Sequence, residues 1–360
     1  GGRETLESNP LFAQLKAVQE GRVLYLDETA ENALGFSSPL SLSYALEAAL
    51  PQLEAMFSAE TTHCEDGQRL VTHAMGETCV PQDIENVVAL EWTYAENLLA
   101  LGLQPVGMAD IEGYKNWVQI PLTLEDSVAD VGTRQEPNLE VIASLNPQLI
   151  LAVNFRVAEN YEALSAIAPT LVFDPYPMDG TTQYEEMIST FTTIAQVVGR
   201  EADAQIVLDN MAAHLAEAKS ALETAERSGE TFILTQTFLS SEVPTFRLFT
   251  DNALAVQVLE EIGLKNAWDD APQQFGFSTV DFEGFANVDS TNLFYVAQDD
   301  YHATLTELPL WQGLPFVQSG RAYWLGGDAW LFGGPLSMQV VVNTVLESMG
   351  ITLPAASTIP

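Results

Sequence analysis

Lysine is nearly missing from this chain of 360 residues. Only Lys16, Lys115, Lys219 and Lys265 are present, beside nine arginines. Thirteen basic residues face fifty acidic ones, for a formal net charge of -37. Non-specific nucleic-acid binding needs clustered cations to displace phosphate counter-ions, so that class is excluded. An anionic membrane surface is disfavoured on the same ground. No apolar run reaches the length of a membrane-spanning helix. The nucleophile elbow GxSxG, the P-loop, HExxH and GxGxxG are all missing. Histidine is scarce too: His63, His73, His214 and His302 show no HxH or HExxH spacing, and no CxxC occurs, so no protein-held metal is expected. No signal peptide is visible, and Gly1-Gly2 in place of Met reads as a trimmed N-terminus.

Hydrophobic residues make up 47% of the chain, enough for a sizeable core in two domains or one two-lobed unit. The acid excess reads as a heavily hydrated surface, of the kind found in salty water or outside cells; the alternative is a surface made for a basic partner. Cys64 and Cys79 stand fifteen apart. A hairpin turning at Gly76 would bring them near each other, and a bridge there would contribute about 3 kcal/mol and imply an oxidising compartment. The alternative is two unrelated buried thiols.

The stretch Pro309–Leu325, PLWQGLPFVQSGRAYWL, aligns without gaps on Pro10–Leu26, PLFAQLKAVQEGRVLYL, and Pro-Leu-Ser follows both. Residues 1–60 therefore read as the tail of an upstream copy of the same domain. Strand and helix signals then alternate through residues 61–200, which predicts a parallel α/β lobe. Glu201–Glu226 runs without Pro or Gly. Leu208, Met211, Leu215, Ala218 and Leu222 form one apolar stripe along it. Residues 201–228 are thus expected as a rigid connecting helix, and 229–356 as a second α/β lobe. A cleft between lobes is the default ligand site.

Several segments carry a family resemblance: LEWTYAENLLALGLQPVGMADIEGYKNWV, DVGTRQEPNLEVIASLNPQLILA, YEALSAIAPTLVF and PLWQGLPFVQSGRAYWLGGDAWLFGGPLS. Together they resemble the iron-siderophore substrate-binding proteins of ABC importers, in their ferric-hydroxamate branch, over about residues 68–352. The resemblance implies a bilobal periplasmic-binding-protein fold and a binding protein rather than an enzyme. It implies a ferric siderophore as ligand, of hydroxamate or mixed type, and an ABC transporter permease as partner. It also implies a periplasmic or cell-surface location, membrane association only through the permease or an anchor, and a monomer. No cofactor is expected, because the siderophore chelates the iron. The N-terminal repeat departs from a single-domain member and suggests a tandem fusion.

Such a ligand offers a shell of oxygen acceptors, which calls for arginine donors and aromatic walls. The resemblance places the ligand-binding arginine at Arg134 and a first-lobe tryptophan at Trp117, with Tyr114 one turn earlier. Phe155 and Arg156 stand where the family has a tyrosine. Arg156 replaces a phenol with a charge, which suits a more anionic siderophore. Trp330 and Phe332 match an aromatic triplet whose middle position is Leu331 here. Phe275 and Phe277 flank Gly276, which occupies the position of a family tryptophan. Arg247 is read as a second-lobe donor at a strand start. Trp92 and Tyr94 follow the first strand of the lobe. Glu162 and Glu283 match the acids that dock on the permease. The cleft is expected to be less negative than the surface. The alternatives are a cobalamin or haem receptor of the same fold, a bilobal enzyme, and a chelator of bare metal. Haem would want an axial His or Tyr, and no His falls on a ligand position.

Overall fold

A computed structural model describes residues 64–240, 243–285 and 292–353, with isolated residues before 51. The chain divides into two units, Gly1–Cys64 and Glu65–Pro360. In the first, residues 43–47 are helical, and Ala45 and Ala49 are buried. Most of the repeat expected at Pro10–Leu26 lies outside the described residues.

The second unit opens with a hairpin, β1 (Gln68–His73) and β2 (Gly76–Pro81), whose register pairs His73 with Gly76 across the turn. Cys64 and Cys79 are disulfide-bonded. Ala74 N–H donates to the Val172 carbonyl at 2.8 Å and ties the hairpin tip to the first lobe.

That lobe is a chain of strand–helix units. In order these are β3 (Val87–Ala89), α1 (Trp92–Ala100), β4 (Gly107–Met108), α2 (Ile111–Trp117), β5 (Ala129–Asp130), α3 (Leu139–Ser144), β6 (Leu149–Val153), α4 (Asn154–Val157), α5 (Tyr161–Ser165) and β7 (Thr170–Phe173). The strands form one all-parallel sheet in the order β5-β4-β3-β6-β7. A parallel sheet covered on both faces needs strands that are apolar throughout, and β6, LILAV, is buried at every position. Its period of two divides the lobe core: Leu149, Leu151 and Val153 pack with Leu98 and Phe191, while Ile150 and Ala152 pack with Ile142 and Leu164 on the other face.

Two helices leave this lobe, α6 (Gln183–Val197) and α7 (Glu201–Thr224). A Thr182–Glu185 capping box fixes the start of α6. The 24 residues of α7 span about 36 Å. Its Ala204 and Val207 lie in the first-lobe core, and Met211, Leu215, Ala218 and Leu222 in the second. Both cores therefore share one helix. The helix ends at Thr224, four residues short of the expected 228, and Glu226 turns out of it at a φ of 58°.

The second lobe contains β8 (Thr231–Ser240), β9 (Val243–Phe249), α8 (Leu254–Glu261), β10 (Lys265–Asn266), β11 (Phe277–Val280), α9 (Phe282–Phe285), β12 (Asn292–Val296), α10 (Asp299–Glu307), α11 (Pro309–Gln312), α12 (Pro315–Gln318), β13 (Ala322–Trp324) and α13 (Pro335–Ser348). Its sheet runs β11-β9-β8-β12-β13, with β10 beside β8. The β8–β9 and β9–β11 pairs are antiparallel and the others parallel. The sheet is therefore mixed.

The closing helix α13 joins the two lobes. Its Leu336 packs in the first core, and Val341, Val345 and Leu346 pack in the second. Its N-terminus has no side-chain cap of its own. Glu96 from α1, wholly buried, supplies one: it accepts from Leu336 N–H at 3.1 Å, Ser337 N–H at 2.8 Å and the Ser337 hydroxyl.

Candidate ligand cleft

The first-lobe strands end on one side, and the residues just past their C-terminal ends build a cleft, as parallel α/β sheets do. Glu91 follows β3, Arg134 follows β5, Phe155 and Arg156 follow β6, and Tyr176 follows β7. The second lobe contributes Arg247 from β9, Phe275 and Phe277 at the start of β11, and Trp330 and Phe332 beyond β13. The cleft they line encloses about 1000 Å³ open to solvent.

Glu91 organises the first-lobe cations. Its Oε1 accepts from Arg134 Nη1 at 2.7 Å and its Oε2 from Arg156 Nε at 2.9 Å. Arg134 also lies over Trp92, its Cζ 3.5 Å from the ring centroid, with Nε 3.5 Å from Asp110 Oδ2. Trp92 in turn donates from Nε1 to the Asp110 carbonyl at 3.1 Å. Gly132 makes the preceding turn feasible: its φ is +95°, and a Cβ there would stand 3.0 Å from the Glu136 carbonyl oxygen. Arg247 meets no carboxylate among the described residues. It donates to Gln236 Oε1 at 3.0 Å and sits between Phe238 and Phe277, 4.9 and 4.8 Å from their centroids. Burial pushes this guanidinium down from its ordinary value, partly offset by Tyr176. Burial, with the Glu91 charge adding to it, raises the Tyr176 phenol, so it stays a neutral donor.

Aromatic rings from the two lobes meet across the cleft. Phe275 stands 5.6 Å from Phe155 and 5.3 Å from Tyr176. Trp330 packs edge-on against Trp92 at 4.9 Å, and Phe332 lies 5.3 Å from Trp330. Donors at one wall and rings around it suit a ligand with oxygens outside and carbon arms between them.

Of the residues expected here, Arg134, Arg156, Arg247, Phe155, Phe275, Trp330 and Phe332 line the cleft, and Trp92 lies beneath Arg134. Tyr94 also lines it. Trp117 and Tyr114 do not. Tyr114 is buried in the first-lobe core, and Trp117 is half-buried against the same core, because α2 turns its apolar side toward the sheet. Arg247 is not at a strand start: β9 begins four residues earlier, and Arg247 pairs across with Gln236 of β8. Leu331 points into the second-lobe core. Gly276 has a φ of +75°, and a Cβ would lie 2.9 Å from Ala253 Cβ, so the family tryptophan has no room on this backbone. Glu162 and Glu283 are exposed in the first turns of α5 and α9. Among the described residues no group of three His, Cys, Asp or Glu could hold a metal, and no helix is long and apolar enough to cross a membrane.

Glu91 and Tyr176 escaped the sequence reading. The signal was present: each stands two or three residues past a buried parallel strand, the rule that singled out Trp92 and Tyr94.

Comparison with known proteins fits this geometry. The family model for periplasmic binding proteins matches residues 87–329. The iron(3+)-hydroxamate-binding protein FhuD of Escherichia coli is 29% identical over 74% of this chain and 88% of its own. The Fe(3+)-citrate-binding protein YfmC of Bacillus subtilis is 28% identical over 78% of this chain and 86% of its own. The crystal structure of FhuD from Vibrio cholerae bound to Fe3+-Desferal superposes with a TM-score of 0.69 at 30% identity, covering 76% of this chain and all of that one.

Proposed function

We propose that this chain, which belongs to the periplasmic binding protein family, captures a ferric siderophore of hydroxamate or mixed type in its cleft and delivers it to an ABC importer permease. The observation that carries this reading is the cleft wall itself. Two arginines past the ends of parallel strands and a third on β9 of the second lobe are set among aromatic rings, in a chain whose relatives bind ferric hydroxamate and ferric citrate. The protein then holds the chelate by its outer oxygens, and the siderophore keeps the iron. Arg134 donates, Trp330, Phe332, Phe155 and Phe275 enclose the carbon arms, and Arg247 closes from the second lobe. This is binding and release, not turnover.

The setting is extracytoplasmic, supported by relatives described as periplasmic proteins and lipoproteins and by the disulfide. The chain works as a monomer. Glu162 on one lobe and Glu283 on the other meet arginines of the permease; their exposure supports this.

A tryptophan-fluorescence titration tests the reading. Trp92 and Trp330 lie at the cleft, so a bound ferric chelate should quench them saturably at micromolar concentration or below. Iron-free siderophores, cobalamin and haem serve as comparisons. Arg134→Ala should abolish the quenching. A folded chain that responds to cobalamin or haem and to no ferric siderophore would refute it.

A further inference from the structure

The cleft is a positive spot in a strongly negative protein. Its walls carry three guanidiniums against Glu91, with Asp110 behind Arg134. Counting three cations and two carboxylates leaves a net charge of +1 there, in a chain of -37. Both carboxylates touch Arg134, so the excess sits on the other two arginines. Arg247 has no acidic partner among the described residues. Arg156 gives only its Nε to Glu91; neither Nη group makes a hydrogen bond to a described residue, and the side chain lines the cleft.

We propose that Arg156, held by Glu91, makes this cleft select ferric complexes by charge, favouring an anionic complex in which a carboxylate or α-hydroxycarboxylate faces the first lobe. This rests on the siderophore-receptor reading above and deepens it. A complex whose hydroxamates balance the ferric charge is neutral. Replacing one hydroxamate by an α-hydroxycarboxylate, which yields two protons to the metal, leaves the complex negative. A planar fork with both Nη groups unoccupied matches carboxylate oxygens in a two-pronged contact. Glu91 acts here as a positioning residue: by taking Nε it aims the Nη pair into the cleft. Surface acids repel such a ligand at long range, but screening at physiological salt confines that repulsion to about 8 Å.

The test compares two probes at fixed ionic strength, by titration of the folded chain. One is ferrichrome, a neutral ferric trihydroxamate; the other is ferric schizokinen, an anionic citrate-based dihydroxamate. Wild type should bind the anionic complex about tenfold tighter or more. Arg156→Gln should bring the two affinities within about threefold, mainly by weakening the anionic one. The double variant Glu91→Gln, Arg156→Gln removes one charge of each sign, leaves no unpaired carboxylate, and should close the gap likewise. Equal wild-type affinities, or equal losses for both probes in Arg156→Gln, would overturn the proposal. So would a gap that survives in the double variant, since net cleft charge rather than Arg156 would then be the selector. Failure of the folded chain to bind either probe or any other ferric siderophore would instead remove the receptor reading on which the proposal rests.

Discussion

Glu96 is the most exacting test of how the lobes are held. Its carboxylate is the acceptor for two backbone N–H groups and one hydroxyl at the start of α13, and Leu336 and Ser337 are each 1% exposed. Glu96→Ala leaves those donors buried without a partner. Each orphaned donor costs about 1–3 kcal/mol. Burying the carboxyl also carries a penalty, visible in its pKa, which burial raises against the opposing hydrogen bonds. Removing the group returns part of that, so the net loss should be about 2–5 kcal/mol. Glu96→Gln keeps an acceptor oxygen for the N–H groups and removes the charge, so it should cost about 1 kcal/mol or less. The two variants also separate with pH. A carboxyl raised in the folded state contributes stability that is full below its ordinary value of 4.5 and is lost as pH rises through the folded value. Wild type should therefore lose ground to Glu96→Gln as pH rises above about 4.5. Urea unfolding of all three proteins between pH 4 and pH 8 reads these differences. An alanine variant within about 1 kcal/mol of wild type, or a glutamine variant as damaged as the alanine one, would refute the cap.

Other outcomes follow from the same structure. Replacing Cys64 and Cys79 together by serine should lower stability by about 3 kcal/mol in urea unfolding, with no loss of fold at moderate temperature; an unchanged midpoint would mean the bridge constrains nothing. Burial lowers the pKa of His73, His214 and His302. Their stabilising contribution is present above about 6.5 and lost as pH falls through the folded values. The melting temperature should therefore drop between pH 7 and pH 5, and His214→Gln should reduce the drop; a flat profile in wild type would contradict this.

Much of the architecture was legible because burial leaves a strong pattern. LILAV at β6 and TLVF at β7 are legible as strands, since a parallel strand covered on both faces admits little else. The full length of the β8–β9 hairpin is not legible in the sequence. Gln236 and Thr237 interrupt the apolar run, yet both are buried, because each pairs within the sheet or across the cleft wall. The two-residue strands β4 and β5 are too brief to leave a periodic signal. At the cleft, residues that simply follow strands were readable by position. Trp117 and Tyr114 sat plausibly near a motif but pack inward, which a linear pattern cannot distinguish from a cleft-facing ring. Glu91 also follows a strand, but one acid among fifty stands out only once two arginines are seen to converge on it.

The central claim is that the protein grips a chelate's outer shell in this cleft and leaves the iron to the ligand. A crystal structure of the ferric complex, with an anomalous map at the iron edge, tests it directly. The account predicts one iron peak between Arg134 and the Phe275–Phe155 pair, surrounded by siderophore oxygens, with Arg134 hydrogen-bonded to those oxygens and no protein atom in the metal's coordination shell. An iron peak ligated by protein carboxylates, or one outside the cleft, would contradict it.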